Sequence, residues 1–282
     1  MRLVTDPASA EVARPGDARA SVPLVGIVPT APLLLPAVSP RQPSHLVAPV
    51  ADLRAAVRTT LTGVVTTEVV VLVAADARAG VHRHARVDRT PSGHPQAQAD
   101  VATDGTVAAT LAAAIGRTVD DAAPLSGDLA VLASLVADVA PDVRVVPVTL
   151  DAQATDLAGL AAVLRRVCVE HGAALVVAGD LAATRDATSP GYVVDGAVAF
   201  DDAAVAALRT GDAAMLEGLG TAEATRVRAR GYVPVAVAAA VVGGPWPEVA
   251  LVAPRGVGLL VAASVATGTV LPDAPHAVLA AT

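Results

Sequence analysis

Short apolar runs that alternate with helical patterns are the feature that most constrains how this chain can fold. EVVVLVA (68–74) and AALVVAGD (173–180) are rich in apolar residues without a polar alternation, which is typical of strands buried on both faces. SVPLVGIV (21–28) and VRVVPVTL (143–150) predict two further strands. Because helical stretches separate these runs, we expect an α/β fold in which a mostly parallel central sheet is flanked by helices on both faces.

The helical patterns between these runs have recognisable starts and stops. TDLAGLAAVLRRVCVEHG (155–172) is the clearest, since Thr155 can cap its first turn and Gly172 can end it. ADLRAAVRTTLTG (51–63) has an amphipathic spacing and is predicted to end at Gly63. Further helices are predicted at 106–116, 127–140, 201–209, 212–219 and 221–230, and VPVAVAAAVVGG (233–244) fits a helix or a strand.

The two ends of the chain predict different structures. EVALVAP (248–254) and VGLLVAAS (257–264) are joined by a tight PRG turn and predict an antiparallel hairpin at the edge of the sheet. Residues 1–21 are polar and predict a flexible arm, which leaves 22–282 as a single α/β domain. Residues 75–105 show no sustained period, so we expect a long excursion at one end of the sheet.

Net charge and cysteine content exclude several classes of function. The net charge is −7 and the basic residues are scattered, so binding to nucleic acid would lack its main electrostatic contribution. No apolar stretch approaches the roughly 18 residues of a membrane span, and the first twenty residues lack the apolar segment of a secretory signal. With Cys168 as the single cysteine no internal disulfide can form, and we expect a soluble protein of the reducing cytoplasm.

The residue types and motifs that the sequence lacks limit the classes of enzyme to which the chain could belong. All 20 basic residues are arginine, and without lysine the chain has no Schiff-base lysine, no pyridoxal-phosphate anchor and no Walker A lysine. The motifs GxSxG, HExxH, CxxC and GxGxxG are also missing. The common sequence signatures of serine hydrolases, zinc peptidases and dinucleotide-binding enzymes therefore give no support to those functions.

Ligands of parallel sheets gather where the strands end, and three loops of this chain leave such ends. PTAPLLLP, ADARAGVHRH and GDLAATRDATSPGY follow the first, second and fourth predicted strands. Thr30 lies in the rigid proline-rich turn, and Asp76 and Asp180 each close a strand. These three residues are the pocket candidates. The alternative for the two aspartates is structural, since each can cap the following turn through an Asx hydrogen bond.

Two histidines are the main candidates for a metal site. His82 and His84 stand two residues apart in VHRHAR, so on an extended segment both imidazoles would point to one side, as in some metal sites. With Asp76 they form the candidate set of metal ligands. The alternative is that both are solvated, because the surrounding arginines oppose a bound cation. Cys168 lies on the apolar face of its helix and is interpreted as an inert small hydrophobe.

Three segments carry a resemblance to a known family. VGIVPTAPLLLP (25–36) resembles the opening of the class III extradiol ring-cleavage dioxygenase (LigB-like) superfamily, in particular its actinobacterial branch, where the turn reads roughly VPHPPLLVP. GDLAATRDATSPGYVVDGAVAFDDAAVAALRTGDAAMLEGL (179–219) is similar to that branch's succession of GD-S-R, APGY, and a phenylalanine and aspartate before an alanine-rich helix. PRGVGLLVA (254–262) resembles its PYGVGYFVA ending. The three pieces occur in order and at family-like spacing, covering about half of residues 22–264.

The resemblance implies a non-haem Fe(II) held by two histidines and a glutamate, with a further histidine as acid/base. Carried over by position, the first histidine ligand falls on Thr30 and the second falls near Ala77. The acid/base histidine falls on Ala183, and the glutamate aligns around Thr225, with Glu223 two residues away. Methyl and hydroxyl groups cannot hold ferrous iron, so the resemblance also implies a degenerate iron site.

Two functions remain open from the sequence. The first is a LigB-like protein that lacks a functional Fe(II) site, has no cofactor, and acts as a non-catalytic binding or assembly protein, with a small aromatic ligand or a second copy of the chain as its partner. The second is an active ring-cleaving dioxygenase for a catechol-type substrate and O₂, in which Asp76, His82 and His84, or Asp180, hold Fe(II) as relocated ligands.

Overall fold

The computed structural model describes residues 22–35, 44–77, 79–82, 85–88, 98–120, 125 and 127–268. Within these ranges the chain forms one sheet of eight strands and a separate ribbon of two. The strands are β1 (Val25–Val28), β2 (Val69–Asp76), β3 (Gly80–His82), β4 (Ala85–Asp88), β5 (Gln98–Val101), β6 (Val119–Asp120), β7 (Arg144–Asp151), β8 (Ala174–Ala178), β9 (Glu248–Val252) and β10 (Leu259–Ala263). Their order in the large sheet is β6-β3-β7-β2-β8-β1-β10-β9, and the ribbon pairs β4 with β5.

The four central strands, β7, β2, β8 and β1, are parallel to one another, as predicted. Their continuous apolar sequences follow from burial on both faces, because successive side chains of a strand point to opposite sides. In β2, alternate residues enter two different apolar clusters: Val69, Val71 and Val73 enter one, and Val70, Leu72 and Ala74 enter the other. Such a strand can lie only in the middle of a covered sheet.

Antiparallel strands close both edges of the sheet. On one side β10 pairs with β1 and with β9, which confirms the predicted C-terminal hairpin at the edge. On the other side β3 runs antiparallel to β7 and pairs with β6. This second edge was not predicted, because a strand of three residues such as β3 is too short to show a period.

Helices cover both faces of the sheet, as predicted. They are α1 (Ser44–Val64), α2 (Gly105–Ala114), α3 (Gly127–Val139), α4 (Leu157–His171), α5 (Ala197–Thr210), α6 (Ala213–Gly218), α7 (Thr221–Arg226) and α8 (Tyr232–Val242). Buried residues of α1 and α3 join the apolar cluster on one face, and those of α2, α4, α5 and α8 join the cluster on the other. No helix in the described ranges combines the length and the apolarity needed to cross a membrane.

Some predicted helix boundaries were wrong. Asp156, and not Thr155, caps α4, since its carboxylate accepts a hydrogen bond from the Gly159 N–H at 2.9 Å. Gly172 ends that helix in the left-handed conformation (φ 59°), as predicted. α1 begins at Ser44 and not at residue 51, and Pro49 lies inside it.

Three further predictions concern the segment 233–244, Cys168 and the N-terminal arm. The segment 233–244 is helical over most of its length (α8), and burial around nearly its whole circumference explains why its period was ambiguous. Cys168 is buried, and burial raises the pKa of its thiol to about 12. Because the thiolate is the reactive form, a raised pKa is consistent with the inert side chain that was predicted. The predicted arm at 1–21 lies outside the described residues.

Candidate functional site

Two of the predicted pocket residues touch at the carboxyl edge of the sheet. β1 and β8 are parallel neighbours with Val28 opposite Ala178, and Thr30 and Asp180 each follow two residues beyond that pair. Asp180 Oδ2 accepts hydrogen bonds from the Thr30 backbone N–H at 2.8 Å and from the Thr30 hydroxyl. The register of the two strands therefore brings this pair together.

The proline-rich turn that carries Thr30 is held from α1. Pro32–Leu34 form a single 3-10 turn, and the guanidinium of Arg54 donates to the carbonyl oxygens of Leu33 (2.5 Å) and Leu34 (3.1 Å). Thr30 itself is only 3% exposed. The position that the resemblance assigns to an iron ligand is thus a buried hydroxyl already bonded to a neighbouring carboxylate.

Asp180 is also fixed through its backbone. Its carbonyl oxygen accepts a hydrogen bond from the Gly231 N–H at 2.6 Å. A Cβ at Gly231 would lie 2.6 Å from the Asp180 nitrogen and 2.8 Å from the Ala178 oxygen, so this close approach requires glycine. The contact brings the segment just before α8, including Arg230, to the edge of the sheet.

Asp128 and Arg230 complete this cluster, and neither was predicted. Arg230 Nη2 lies 2.6 Å from Asp128 Oδ2, with the Asp128 side chain 15% exposed and that of Arg230 70% exposed. A signal for Asp128 did exist in the sequence. It occupies the first turn of the helix that precedes β7, and helices that connect parallel strands begin at the carboxyl edge of the sheet. Nothing in the sequence pairs it with Arg230, which is 102 residues away.

The electrostatics of this cluster disfavour its negative charges. Burial raises the pKa of Asp180 to about 6, and the charge of Asp128 adds to the rise, while the Thr30 hydrogen bonds and Arg230 oppose it. Burial also raises the pKa of Asp128, with Asp76 adding to the rise and Arg230 and Thr30 opposing it. With a pKa of about 6, Asp180 changes protonation near neutral pH, and a protonated carboxyl group can both accept hydrogen bonds from a ligand and donate one to it.

Asp76 lies at the same edge but is exposed, and its carboxylate accepts from the Ala77 N–H at 2.6 Å. An Asx cap would instead use the N–H two residues on, at position 78, which lies outside the described residues. Ala77 is exposed and presents only a methyl group. Ala183 donates its backbone N–H to the Val227 carbonyl at 3.1 Å. The Thr225 hydroxyl donates to the Thr221 carbonyl at 2.8 Å and accepts from Gln153 at 3.0 Å.

His82 is turned inward and not toward water. It is 8% exposed, and its Nε2 lies 3.4 Å from the Thr149 hydroxyl, while its buried Nδ1 has no hydrogen-bond partner among the described residues. Burial lowers the pKa of His82, and the charges of Asp120 and Asp76 oppose that shift. The predicted neighbour His84 lies outside the described residues. In the described part of the chain, no three His, Cys, Asp or Glu side chains converge as a metal site would require.

A second buried acid, Asp201, anchors the loop between β8 and α5. It is fully buried, accepts from the Ala182 N–H at 2.9 Å, and forms an ion pair with Arg185, which is 8% exposed. Burial raises the pKa of Asp201 to about 6, against the opposing effects of Ala182 and Arg185. Leu181 and Arg185 also donate their backbone N–H groups to the carbonyls of Gly258 (2.7 Å) and Gly256 (3.2 Å). The arginine and aspartate of the second resembling segment are therefore partners in the fold.

Comparisons with known proteins bear on the fold and not on the activity. No family model matches the chain, and no curated protein sequence matches it. The crystal structure of the uncharacterized protein JW3007 from Escherichia coli K12 is similar, with a TM-score of 0.52 and 16% sequence identity over 85% of this chain and 98% of that one. Similarity at this level of identity shows a shared fold, in agreement with the mixed α/β architecture.

Proposed function

We propose that this chain is a LigB-like protein that has lost its ferrous site and acts as a non-catalytic binding protein. The observation that carries the proposal is the state of Thr30, whose backbone N–H and hydroxyl both bond to Asp180. A histidine is expected here in an iron-binding member of the family. The chain instead has Thr30, whose buried hydroxyl is already hydrogen-bonded to Asp180.

The chemistry of the other family positions supports the same proposal. Ala77 and Ala183 carry methyl groups, and the hydroxyl of Thr225 is bonded to its own helix. Fe(II) in such sites needs imidazole nitrogens and carboxylate oxygens, so these three side chains, like that of Thr30, do not fit the ion. No step of a ring-cleavage reaction can be assigned to them.

The remaining acids favour a binding role at the same edge. Folding keeps Asp180 within electrostatic range of Asp128 although burial raises the pKa of both, and a raised pKa lowers the stability of the fold once the acid ionises. Carboxyl groups with raised pKa can accept a hydrogen bond from a hydroxyl group of a ligand or donate one to it. We therefore infer a small ligand that carries hydroxyl groups, for which an aromatic compound remains our leading candidate.

Iron analysis tests the loss of the metal site. The full chain is purified anaerobically with added Fe(II), and iron per chain is measured together with catechol-dependent oxygen uptake. We expect far less than one iron per chain and no uptake. Stoichiometric iron that is lost in the Asp76→Asn and Asp180→Asn variants but retained in the exposed control Asp202→Asn would overturn the proposal.

The alternative of an active dioxygenase with relocated ligands is favoured by one observation: the buried Nδ1 of His82, which feels the charge of Asp76, has no hydrogen-bond partner in the part of the chain that the structure describes. It predicts catechol-dependent oxygen uptake that His82→Gln abolishes while leaving the thermal unfolding midpoint close to wild type. Uptake that is undetectable in the iron-supplemented wild-type protein removes this alternative.

A further inference from the structure

Arg228 occupies a position that helices normally give to glycine. At the end of α7, the Arg228 N–H donates to the Thr225 carbonyl at 3.2 Å and the Ala229 N–H donates to the Ala224 carbonyl at 2.8 Å. These two bonds define a Schellman motif, in which the residue after the cap adopts the left-handed conformation. Arg228 does so with φ 59°, and every other residue with positive φ in the described ranges is a glycine.

The chain uses glycine at the corresponding position of three other helices. Gly172, Gly211 and Gly243 follow α4, α5 and α8 with φ of 59°, 73° and 63°. A side chain in this conformation is strained because its Cβ crowds the following carbonyl. An arginine that remains in such a position indicates that its side chain has a role that offsets the strain.

The side chain of Arg228 is held but not paired. Its guanidinium carbon lies 4.9 Å from the centre of the Tyr192 ring, which is itself 63% exposed. A Cβ at Gly191 would lie 3.1 Å from Arg228 Nη1, so glycine there leaves room for the guanidinium. The neighbouring arginines differ, since Arg226 is paired with Glu223 and Arg230 with Asp128. Within the described residues the Arg228 guanidinium has no hydrogen-bond or ion-pair partner.

We propose that Arg228, which lies over the ring of Tyr192, binds a small oxyanion, a carboxylate or phosphate group of a ligand, at the carboxyl edge of the sheet. A guanidinium presents a planar fork of N–H donors that matches two oxygens of such a group. The cation–π contact with the ring restrains the guanidinium in advance, which lowers the entropy cost of binding. Other exposed arginines, such as Arg166 on α4, also lack an acceptor among the described residues, but their backbone is unstrained and no ring holds them.

The place of this pair in the fold connects it to the acidic cluster. The Thr184 hydroxyl and the Ala183 N–H both donate to the Val227 carbonyl, which ties the loop after β8 to the residue before Arg228. Two residues after Arg228, Arg230 pairs with Asp128 of the cluster. The inference therefore rests on the proposed binding role of this edge and adds an anionic group to the ligand.

The test is a titration of the full chain with sodium acetate, sodium phosphate or sodium chloride at constant ionic strength, followed by the arginine Nε–Hε resonances in ¹⁵N spectra. We expect saturable millimolar binding of acetate or phosphate that shifts the Arg228 resonance, with no saturable effect of chloride. The anion that binds more tightly identifies a carboxylate or a phosphate as the recognised group. If neither acetate nor phosphate binds saturably, the inference is overturned. That outcome does not bear on the iron analysis, which tests the proposed function separately.

Three variants separate binding from structure. Arg228→Gly should abolish the binding and raise the thermal unfolding midpoint, because it removes a strained residue. Arg228→Lys should weaken the binding about tenfold, since it keeps the charge and loses the fork. The control Arg166→Ala should leave the affinity unchanged. Unaltered affinity in Arg228→Gly, or a lower unfolding midpoint in that variant, would show that the side chain serves the fold and would contradict the proposal.

Discussion

Burial raises the pKa of both Asp180 and Asp201, but the two acids have different kinds of surroundings. Each pKa is raised to about 6, and both acids are tied to the loop that follows β8. Asp201 is fully enclosed and has the guanidinium of Arg185 as its partner. Asp180 is only partly buried, its side-chain partner is the hydroxyl of Thr30, and its charged surroundings include a second carboxylate, Asp128.

These surroundings separate a structural acid from a functional one, a distinction that a raised pKa alone does not make. A buried carboxylate that is paired with its own counter-ion has a structural role, because breaking the pair strongly destabilises the fold. A carboxylate that lies near another carboxylate at the carboxyl edge of a sheet lowers the stability of the fold when both are charged. Such destabilising arrangements are common in binding and catalytic sites. Three substitutions test this comparison.

The largest effect is expected from Asp201→Ala. The substitution leaves the buried Arg185 guanidinium without its carboxylate, and breaking a buried pair in this way costs about 3–5 kcal/mol. Urea unfolding followed by circular dichroism measures the loss. The matched control is Asp202→Ala, the exposed neighbour, which should change the free energy of unfolding by less than about 0.5 kcal/mol. Equal effects of the two variants would contradict the structural role of Asp201.

A smaller loss is expected from Gly258→Ala, which probes how tightly the same pair is enclosed. The added Cβ would collide with Asp201 Oδ2 and would lie 3.2 Å from the Leu181 Cβ. Such overpacking costs about 1–3 kcal/mol, measured by the same urea unfolding. Gly218→Ala is the control, because a Cβ at this helical position meets no atom within 4 Å. If Gly258→Ala leaves the free energy of unfolding unchanged, the residues around Asp201 can move to accommodate the added methyl group.

The smallest effect, and one of opposite sign, is expected from Asp180→Asn. An acid whose folded-state pKa is raised contributes most to stability below its ordinary pKa, 3.8 here, and the contribution is lost as the pH rises through about 6. The amide can still accept both Thr30 hydrogen bonds but carries no charge. At pH 7.5 we therefore expect the variant to be more stable than wild type, by on the order of 1–2 kcal/mol.

Thermal and urea unfolding at pH 4.5 and 7.5 measure this difference, which should shrink at the lower pH. Asp151→Asn is the control, since Asp151 lies at the same edge but is exposed. A variant that is less stable than wild type at pH 7.5 would place Asp180 with Asp201 among the acids that the fold requires.

Much of the fold could be predicted from the sequence because the central strands are buried on both faces. That burial leaves continuous apolar runs such as 68–74, and the order of strands and helices then fixes a parallel sheet. The second antiparallel edge escaped prediction because β3 and β6 have three and two residues. Asp156 was missed as a cap because Thr155, just before it, has the same capping chemistry.

The candidate site was predictable only where it depends on strand ends. Thr30, Asp76 and Asp180 follow or end parallel strands, so their common edge could be inferred, and the structure places them there. Asp128 with Arg230 and Arg228 with Tyr192 are contacts between distant segments, which no local pattern encodes. The inward orientation of His82 is also tertiary, because it depends on Thr149 in the neighbouring strand.

The position of β1 also determines when this edge can form. β1 lies between β8 and β10, so residues near the start of the chain pair with residues some 150 and more than 230 positions later. Contacts of such separation slow folding, because a long loop must close before they form. During synthesis the Thr30 turn cannot meet Asp180 until β8 has emerged, and β1 stays open on its other side until the last hairpin is made.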